Sequence, residues 1–181
     1  MREHIALFRQ PFYYLRHGET ESNLARLIAG SLDVDLTPLG RSQALAAAAA
    51  LAHLPITAIY SSPLKRARDT AEPIAQQLGL PVAIVPGIAE RYWGALEGKP
   101  QSTRIRGVMP DDAESAEDFK ARVLSGMAQI DAKLPLIVAH SGVFRVLCRT
   151  LDLAETEAPV TNALPLCFTP RAAGGWTMHE A

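Results

Sequence analysis

The sequence predicts an α/β protein, a three-layer α/β/α sandwich with a mostly parallel central sheet. Short apolar runs of strand length alternate with helix-length segments along most of the chain, which is the pattern of parallel βαβ units. Three of these runs end in a polar or glycine-containing turn that leads into a helix, as strands do at the ligand-binding edge of an open α/β sheet. The 181 residues suit one hydrophobic core, and no internal repeat occurs, so a single domain over 1–181 is expected.

The first predicted strand ends at residues 13–15 and is followed by Arg16, His17 and Gly18. Imidazole can act as a nucleophile, and guanidinium can hold a phosphate through two parallel hydrogen bonds. Taken alone, the pattern fits a strand and turn with a stray basic pair equally well. For residues 1–10 the sequence does not decide between an extra helical turn and a strand.

Capping signals and composition place the later elements. Thr37 followed by Pro38 predicts a helix N-terminus, and the alanine- and leucine-rich run 43–53 predicts the body of that helix. Pro73 is expected to kink or divide the next helix. Residues 86–114 are irregular, and so long a connection is usually functional or mobile. Ser115, three residues before Asp118, is a capping signal for a helix over 115–134. The remaining predictions are a strand over 56–60, a helix opened by Ser61-Ser62-Pro63, a strand over 82–85, a strand over 136–139, a helix over 143–151 and closing strands over 163–168 and 176–179.

Composition excludes several classes of function. The formal net charge of −1 provides no global field for nucleic acid or an anionic membrane, so neither is expected as a partner. Cys148 and Cys167 each lie in an apolar run and are expected to pack rather than bind metal or form a disulfide. No long apolar run or signal-peptide core is present, which predicts a cytoplasmic protein. No zinc-ligand spacing is found either, and no cofactor is expected. The oligomeric state is not readable, and a homodimer is compatible with the sequence.

Three strand-to-helix junctions would bring charged side chains to one crevice if their strands are parallel neighbours. They carry Arg16-His17-Gly18, the run from Ser61 to Arg66, and His140-Ser141-Gly142. Two imidazoles and two guanidiniums beside helix N-termini form an anion pocket suited to a phosphoryl group.

The order of these parts resembles the histidine phosphatase superfamily, in particular its phosphoglycerate mutase-like branch. A looser match lies at 36–44. The four blocks that carry the resemblance are LRHGET at 15–20 with Asn23, SSPLKRARDTA at 61–71, ERYWGALEG at 90–98 and VAHSGVFR at 138–145.

The resemblance implies a phosphoglycerate mutase-like fold and a metal-independent reaction through a phosphohistidine. His17 would be the nucleophile, and Arg16, Arg66 and His140 would surround the phosphoryl oxygens. Glu90 would give a proton to the leaving alkoxide and later take one from water. Contacts to the substrate are expected from Asn23, the amide of Gly30, Ser141, Tyr92, Trp93, Arg104 and Arg106, although both aromatic residues fit plain packing as well.

Glu90 is preferred over Glu97 as the acid. Histidine acid phosphatases of the wider superfamily carry Asp directly after the second histidine, where this chain has Ser141, so the acid must come from elsewhere. Glu97 fits a structural role in the turn at 96–98, and Glu19 fits a scaffold role.

The function expected from this constellation is hydrolysis of a small phosphorylated metabolite. One alternative is mutase-type phosphoryl transfer, which requires more cations and a closed lid, whereas the segment between 98 and His140 is short. The other is a non-catalytic phospho-ligand binding module, which would need neither a nucleophile nor an acid.

Overall fold

A six-stranded sheet forms the centre of this computed structural model, which describes residues 5–105, 107–153 and 160–181. The strand order is β3-β2-β4-β1-β5-β6. The strands are β1 (Phe12–Arg16), β2 (Ile59–Ser61), β3 (Val82–Ile84), β4 (Leu136–Ala139), β5 (Leu166–Pro170) and β6 (Trp176–Glu180).

The sheet is mixed, with a parallel part that carries the junctions. Strands β3, β2, β4 and β1 run parallel, whereas β5 is antiparallel to β1 and β6 is antiparallel to β5. Arg16 pairs with Ala139, and Ser61 pairs with Val138, so three strands end at nearly the same level. This register brings the residues that follow β1, β2 and β4 to one edge, as the α/β prediction required.

Helices cover both faces of the sheet. They are α1 (Glu21–Leu24), α2 (Pro38–Leu51), α3 (Lys65–Leu78), α4 (Ala116–Met127) and α5 (Ser141–Thr150), with short 3₁₀ helices at Ala6–Arg9, Pro86–Ile88, Gly94–Leu96 and Gln101–Thr103. The longest of these, α2 and α3, have 14 residues each, and no helix within the described ranges combines the length and apolar character needed to cross a bilayer.

The period-2 alternation of strand residues divides the core into two clusters, one on each face. Leu136 and Val138 of β4 face the cluster that includes residues of α2 and α3, whereas Ile137 and Ala139 face the cluster of α4 and α5. All four residues of β4 are buried. Burial on both faces explains why this strand reads as an unbroken apolar run in the sequence.

Two of the predicted caps are present. The Thr37 hydroxyl accepts a hydrogen bond from the Gly40 amide at 2.9 Å, and the Ser115 hydroxyl accepts one from the Asp118 amide at 2.9 Å. The cap predicted at Ser61-Ser62-Pro63 was wrong, because α3 begins at Lys65 with Leu64 as a cap that makes no side-chain hydrogen bond.

Some predicted boundaries also differ. Strand β2 begins at Ile59 rather than at residue 56, because Ile59 pairs with Leu136, where β4 begins. Strand β5 begins at Leu166, since Ala163 has a φ of +50° and donates its amide to the Arg16 carbonyl instead of joining the sheet. Pro73 does not divide α3, which is continuous from Lys65 to Leu78.

Candidate active site

Two histidines from distant parts of the chain lie side by side at the carboxyl edge of the parallel strands. His17 follows β1 and His140 follows β4, the neighbouring strand, and their ring centroids are 5.3 Å apart. Both residues are buried, at 5% and 0% exposure. The strand register therefore produces the pair of imidazoles that the sequence predicted for one crevice.

The His17 ring has a defined free nitrogen. Its Nδ1 lies 2.7 Å from the Gly18 carbonyl, which can only accept, so Nδ1 carries the proton and Nε2 keeps its lone pair. Burial lowers the pKa of His17 well below its usual value, and the nearby Arg66 and Arg16 charges lower it further. The imidazole is therefore neutral at neutral pH, with the electron pair that a nucleophile needs.

Hydrogen bonds from distant residues fix the backbone around His17. Asn162 donates its side-chain amide to the His17 carbonyl at 2.8 Å, and the Gly18 amide donates to the Thr70 hydroxyl at 2.9 Å. Asn162 also donates to the Asn23 carbonyl oxygen at 3.3 Å. These contacts hold His17 and Asn23 relative to each other.

Backbone carbonyls orient the two guanidiniums. Arg16 donates Nη1 to the Val160 carbonyl at 2.7 Å, and Arg66 donates Nη1 to Leu32 and Nη2 to Gly30, both at 2.8 Å. Burial is the main cause that lowers the pKa of Arg66, to about 10, so it stays charged at neutral pH. The carbonyl of Gly30 thus holds Arg66, while the contact expected from the Gly30 amide to the substrate stays a prediction.

His140 is anchored through one of its two ring nitrogens. Its Nε2 lies 2.7 Å from the Ser62 hydroxyl, and its carbonyl accepts a hydrogen bond from the Tyr14 hydroxyl at 2.6 Å. Its pKa is lowered well below the usual value by burial first and then by Arg66. Its Nδ1 is buried and has no hydrogen-bond partner among the residues that the structure describes.

Buried side-chain nitrogens without partners cluster at this site. Four buried side-chain nitrogen or oxygen atoms in the described ranges lack a hydrogen-bond partner, and three of them belong to Arg16 (Nε), Arg66 (Nε) and His140 (Nδ1). Buried polar groups are normally paired, so such a cluster marks a place built to bind a ligand that accepts hydrogen bonds.

Two backbone amides hold the Glu90 carboxylate at this site. Its Oε1 accepts from the Arg91 amide at 2.8 Å, and its Oε2 accepts from the Gly142 amide at 2.9 Å. A Cβ at Gly142 would collide with this carboxylate, so a larger residue there would displace the Glu90 side chain. The contact joins the irregular segment 86–114 to the N-terminus of α5.

One cavity of about 160 Å³ collects most of the side chains named from the sequence. Arg16, His17, Arg66 and Glu90 line it, and His140 is buried beside the His17 ring. The lining also includes the predicted substrate-contact residues Asn23, Gly30, Trp93, Arg104 and Ser141.

One predicted contact residue is not brought to the cavity: Tyr92 is 42% exposed and does not contribute to the lining. The contact predicted for Arg106 falls outside the described residues. Trp93 instead faces the cavity, with the Arg104 guanidinium 4.0 Å and the Arg91 guanidinium 5.0 Å from its ring centre. Of the two adjacent aromatic residues, only the second lines this cavity.

Glu97 makes structural contacts. Its carboxylate accepts hydrogen bonds from the Ser31 amide at 2.7 Å, the Ser31 hydroxyl at 2.9 Å and the Trp93 amide at 3.1 Å. It therefore joins the loop that contains Gly30 to the segment that contains Trp93.

Sequence reasoning missed several residues of the site. Asn162 contacts the His17 backbone, Ser62 contacts the His140 ring, and Thr70 contacts the amide of Gly18 next to His17. Arg145 and Gln101 line the cavity. Helical spacing could have indicated Arg145, which lies about one turn beyond Ser141 on α5, but no local signal marks Asn162. Within the described ranges, no group of three or more histidine, cysteine, aspartate or glutamate residues is placed to hold a metal ion.

Comparisons with known proteins agree with this arrangement. The family model described as the histidine phosphatase superfamily (branch 1) matches residues 12–168. A metal-independent phosphoserine phosphatase of Arabidopsis thaliana is 33% identical over 171 residues, which cover 82% of this chain and 71% of that protein. A probable phosphoglycerate mutase of Erwinia tasmaniensis is 32% identical over 195 residues, covering 93% of this chain and 91% of the relative.

The fold is also similar to solved structures. A mycobacterial glucosyl-3-phosphoglycerate phosphatase in complex with VO3 has a TM-score of 0.79 and 25% sequence identity, and the match covers 95% of this chain and 98% of that one. The α/β fold class expected from the sequence is therefore confirmed.

Proposed function

The chain belongs to the histidine phosphatase superfamily, and on that premise we propose that it hydrolyses small phosphomonoesters through a phosphohistidine formed on His17. One observation carries the proposal: the neutral His17 ring lies 5.3 Å from the His140 ring, beside buried guanidinium and imidazole nitrogens that have no partner among the described residues. Such donors are suited to the three equatorial oxygens of a phosphoryl group, where charge lies in the transition state. Phosphatase-named relatives are consistent with this activity.

The first step transfers the phosphoryl group to the protein. Nε2 of His17 attacks phosphorus, and the bond between phosphorus and the leaving oxygen breaks. Glu90 in its acid form gives a proton to the leaving alkoxide. The Gly18 carbonyl, 2.7 Å from Nδ1, stabilises the positive charge that develops on the imidazole ring.

The second step releases phosphate. Water attacks the phosphohistidine, the Glu90 carboxylate takes a proton from that water, and the P–N bond breaks with its electron pair returning to His17. Arg16, Arg66 and His140 provide the positive charge and hydrogen bonds for both steps. The proposal places this metal-independent reaction in the cytoplasm, as expected from the sequence.

The organic part of the substrate is assigned to a second cavity of about 460 Å³ that adjoins the first. Both cavities share Glu90, Trp93, Arg104 and Arg145. Arg145 and Arg91 are near enough to Arg104 to contribute to lowering its pKa, after the main effect of burial. Like charges in one cavity favour a substrate that carries a further anionic group next to the phosphate.

Hydrolysis of p-nitrophenyl phosphate tests the reaction. We expect activity that survives EDTA, is inhibited by vanadate and is lost in His17→Ala. Glu90→Gln should lower kcat by about 10²–10⁴-fold while phosphate binding, measured by calorimetry, is retained. Phosphate binding without turnover of any monoester would instead favour the binding module.

A matched pair of substrates tests the second cavity. Its cations should give 3-phosphoglycerate a higher kcat/KM than glycerol 3-phosphate, which lacks the carboxylate. This preference should fall several-fold in Arg104→Gln but persist in the control Arg68→Gln, because Arg68 is an exposed residue that does not line either cavity. An equal preference in all three proteins would contradict the assignment, and conversion of 3- to 2-phosphoglycerate would favour the mutase.

A further inference from the structure

Ser62 makes a buried contact to the second histidine for which neither the sequence nor the proposed reaction assigns a role. It follows β2 directly and is 0% exposed, as is His140. Its hydroxyl oxygen lies 2.7 Å from Nε2 of His140, although the two residues are 78 positions apart in the chain. The distance corresponds to a short, well-formed hydrogen bond.

The other contact of the Ser62 hydroxyl indicates the direction of this bond. The Leu64 amide donates to the same oxygen at 3.2 Å, so that contact uses a lone pair of the hydroxyl and leaves its proton free to be donated. Within the described residues, no hydrogen bond joins the Ser62 hydroxyl to another acceptor. Donation to Nε2 of His140 therefore pairs the Ser62 proton.

A neutral imidazole has one donor nitrogen and one acceptor nitrogen, and the partner of one nitrogen decides the state of the other. If Nε2 accepts from Ser62, the ring proton is on Nδ1. Nδ1 is the His140 nitrogen that is buried without a partner, beside a histidine and two arginines of the candidate site. In that tautomer Nδ1 carries a proton that no described residue accepts.

We propose that Ser62 is a positioning residue that holds His140 as the neutral Nδ1–H tautomer, so that Nδ1 donates a hydrogen bond to the phosphoryl oxygen. The catalytic consequence rests on the proposed function, whereas the tautomer is a property of the folded protein alone. The opposite tautomer would leave an unpaired Ser62 proton and direct the Nδ1 lone pair at an anionic oxygen. The surrounding charges agree with a neutral ring, because burial, Arg66, His17, Arg16 and Arg122 all disfavour its protonation.

Ser61 provides a matched control. It is also buried at 0% exposure, it is the last residue of β2, and its hydroxyl donates to the Ser62 carbonyl at 3.0 Å rather than to the histidine. Ser61→Ala and Ser62→Ala therefore remove the same group from adjacent buried positions, and only the second removes the bond to the ring.

The test reads the tautomer by ¹⁵N NMR of the histidine side chains at about pH 7, where an unperturbed histidine is largely neutral. The His140 signals should show a protonated Nδ1 in the wild type and in Ser61→Ala, and a shift towards the Nε2–H tautomer in Ser62→Ala. A wild-type ring protonated on Nε2, or on both nitrogens, would overturn the proposal even if Ser62→Ala failed to fold.

Kinetics distinguish this proposal from the proposed function. Loss of a preorganised donor to a developing oxyanion typically costs about 10²–10³ in kcat, and Ser62→Ala, which retains the ring, should cost about tenfold or more on p-nitrophenyl phosphate. The loss in Ser61→Ala should be smaller. If the tautomer switches in Ser62→Ala but the rate does not change, the positioning role is contradicted. A tautomer that switches in a protein without phosphatase activity would instead overturn the proposed function and leave the assignment of Ser62 to the ring intact.

Discussion

His17 and His140 are both buried beside Arg16 and Arg66, and this environment determines their protonation state. Each ring has a pKa lowered by burial and by the neighbouring guanidiniums, so the site holds neutral imidazoles next to permanent positive charges. The guanidiniums can neutralise a phosphate dianion while the rings provide a lone pair at one nitrogen and a donor at another. A buried titratable side chain usually destabilises a protein core, whereas here burial sets the protonation state that the proposed reaction needs.

Burial of the two neutral histidines predicts a loss of stability in acid. The unfolded chain binds protons at histidine below about pH 6.5, whereas the folded protein binds them at these rings only at lower pH because both pKa values are lowered. The free energy of unfolding should therefore fall as the pH drops from about 6.5 towards those lowered values.

Urea midpoints at about pH 7 and pH 5, on either side of the unperturbed histidine pKa, measure this effect. The decrease between the two should be smaller in His140→Gln than in the wild type. The control His53→Gln, at an exposed residue, should show the wild-type decrease. An equal decrease in all three proteins would exclude His140 as a source of the acid sensitivity.

The backbone conformation of Gly30 affects the position of a guanidinium in the candidate site. It has a φ of +52°, its carbonyl holds the Arg66 guanidinium, and a Cβ there would collide with the Glu97 carboxylate. Gly30→Ala should lower stability by about 1–2 kcal/mol through strain alone and also lower kcat/KM, because Arg66 and Glu97 would be displaced.

Gly79→Ala is the control for Gly30→Ala, because it introduces backbone strain without a steric collision. Gly79 has a φ of +67° at the C-terminus of α3, and nothing lies within 4 Å of the position of its Cβ. It should show a similar loss of stability in urea unfolding with unchanged turnover of p-nitrophenyl phosphate. Equal kinetics for the two variants would argue against a role for Gly30 in holding Arg66.

At the scale of elements, α3 stays helical through a proline that disfavours a helix, because tertiary packing stabilises it. A proline within a helix removes one hydrogen bond and costs about 3 kcal/mol, yet α3 continues through Pro73. The helix buries Ala67, Thr70, Ala71 and Ile74 and thus contributes a whole face to the core. That burial offsets the cost of the proline.

Replacement of this proline should therefore stabilise the protein. Pro73→Ala restores a donor for the Asp69 carbonyl and should raise the free energy of unfolding by up to about 3 kcal/mol, measured by urea denaturation. Pro38→Ala is the control, because Pro38 is at the first position of α2, where proline is favourable and no helical donor is lost. A gain at Pro38 as large as that at Pro73 would show that position in the helix does not matter.

At the scale of the whole molecule, the central sheet lies between two hydrophobic clusters and contributes residues to both. Ile74 lies in the cluster of α2 and α3, and Leu147 lies in the cluster of α4 and α5. Strands β1 and β4 contribute alternate residues to both clusters, so we expect the two faces to unfold together. The single domain over 1–181 stays a prediction, which this shared sheet supports.

Cooperative unfolding tests the single domain. Ile74→Ala and Leu147→Ala should each cost about 2–5 kcal/mol, as large-to-small substitutions in a core do. In both variants, the far-UV circular dichroism and tryptophan fluorescence transitions should shift together. Separate transitions, one for each face, would contradict a single domain.

The sequence by itself determined the α/β class, the caps at Thr37 and Ser115, and the junctions that carry His17 and His140. These features depend on periodicity, capping and turn chemistry over a few neighbouring residues, and for that reason they are readable without a structure. The order of the four motif blocks along the chain was also enough to indicate the family and to name most of the residues that line the cavity.

Only the tertiary structure decided which atoms of those residues are free to react. Ser62 reaches His140 across 78 residues and Asn162 reaches His17 across 145, and no local pattern encodes such contacts. The same holds for Trp93, which faces the cavity while its neighbour Tyr92 is exposed, because the 3₁₀ turn Gly94–Leu96 and the Glu97 hydrogen bonds orient that segment. Contacts between distant segments depend on how strands and helices pack, and packing is a property of the whole chain.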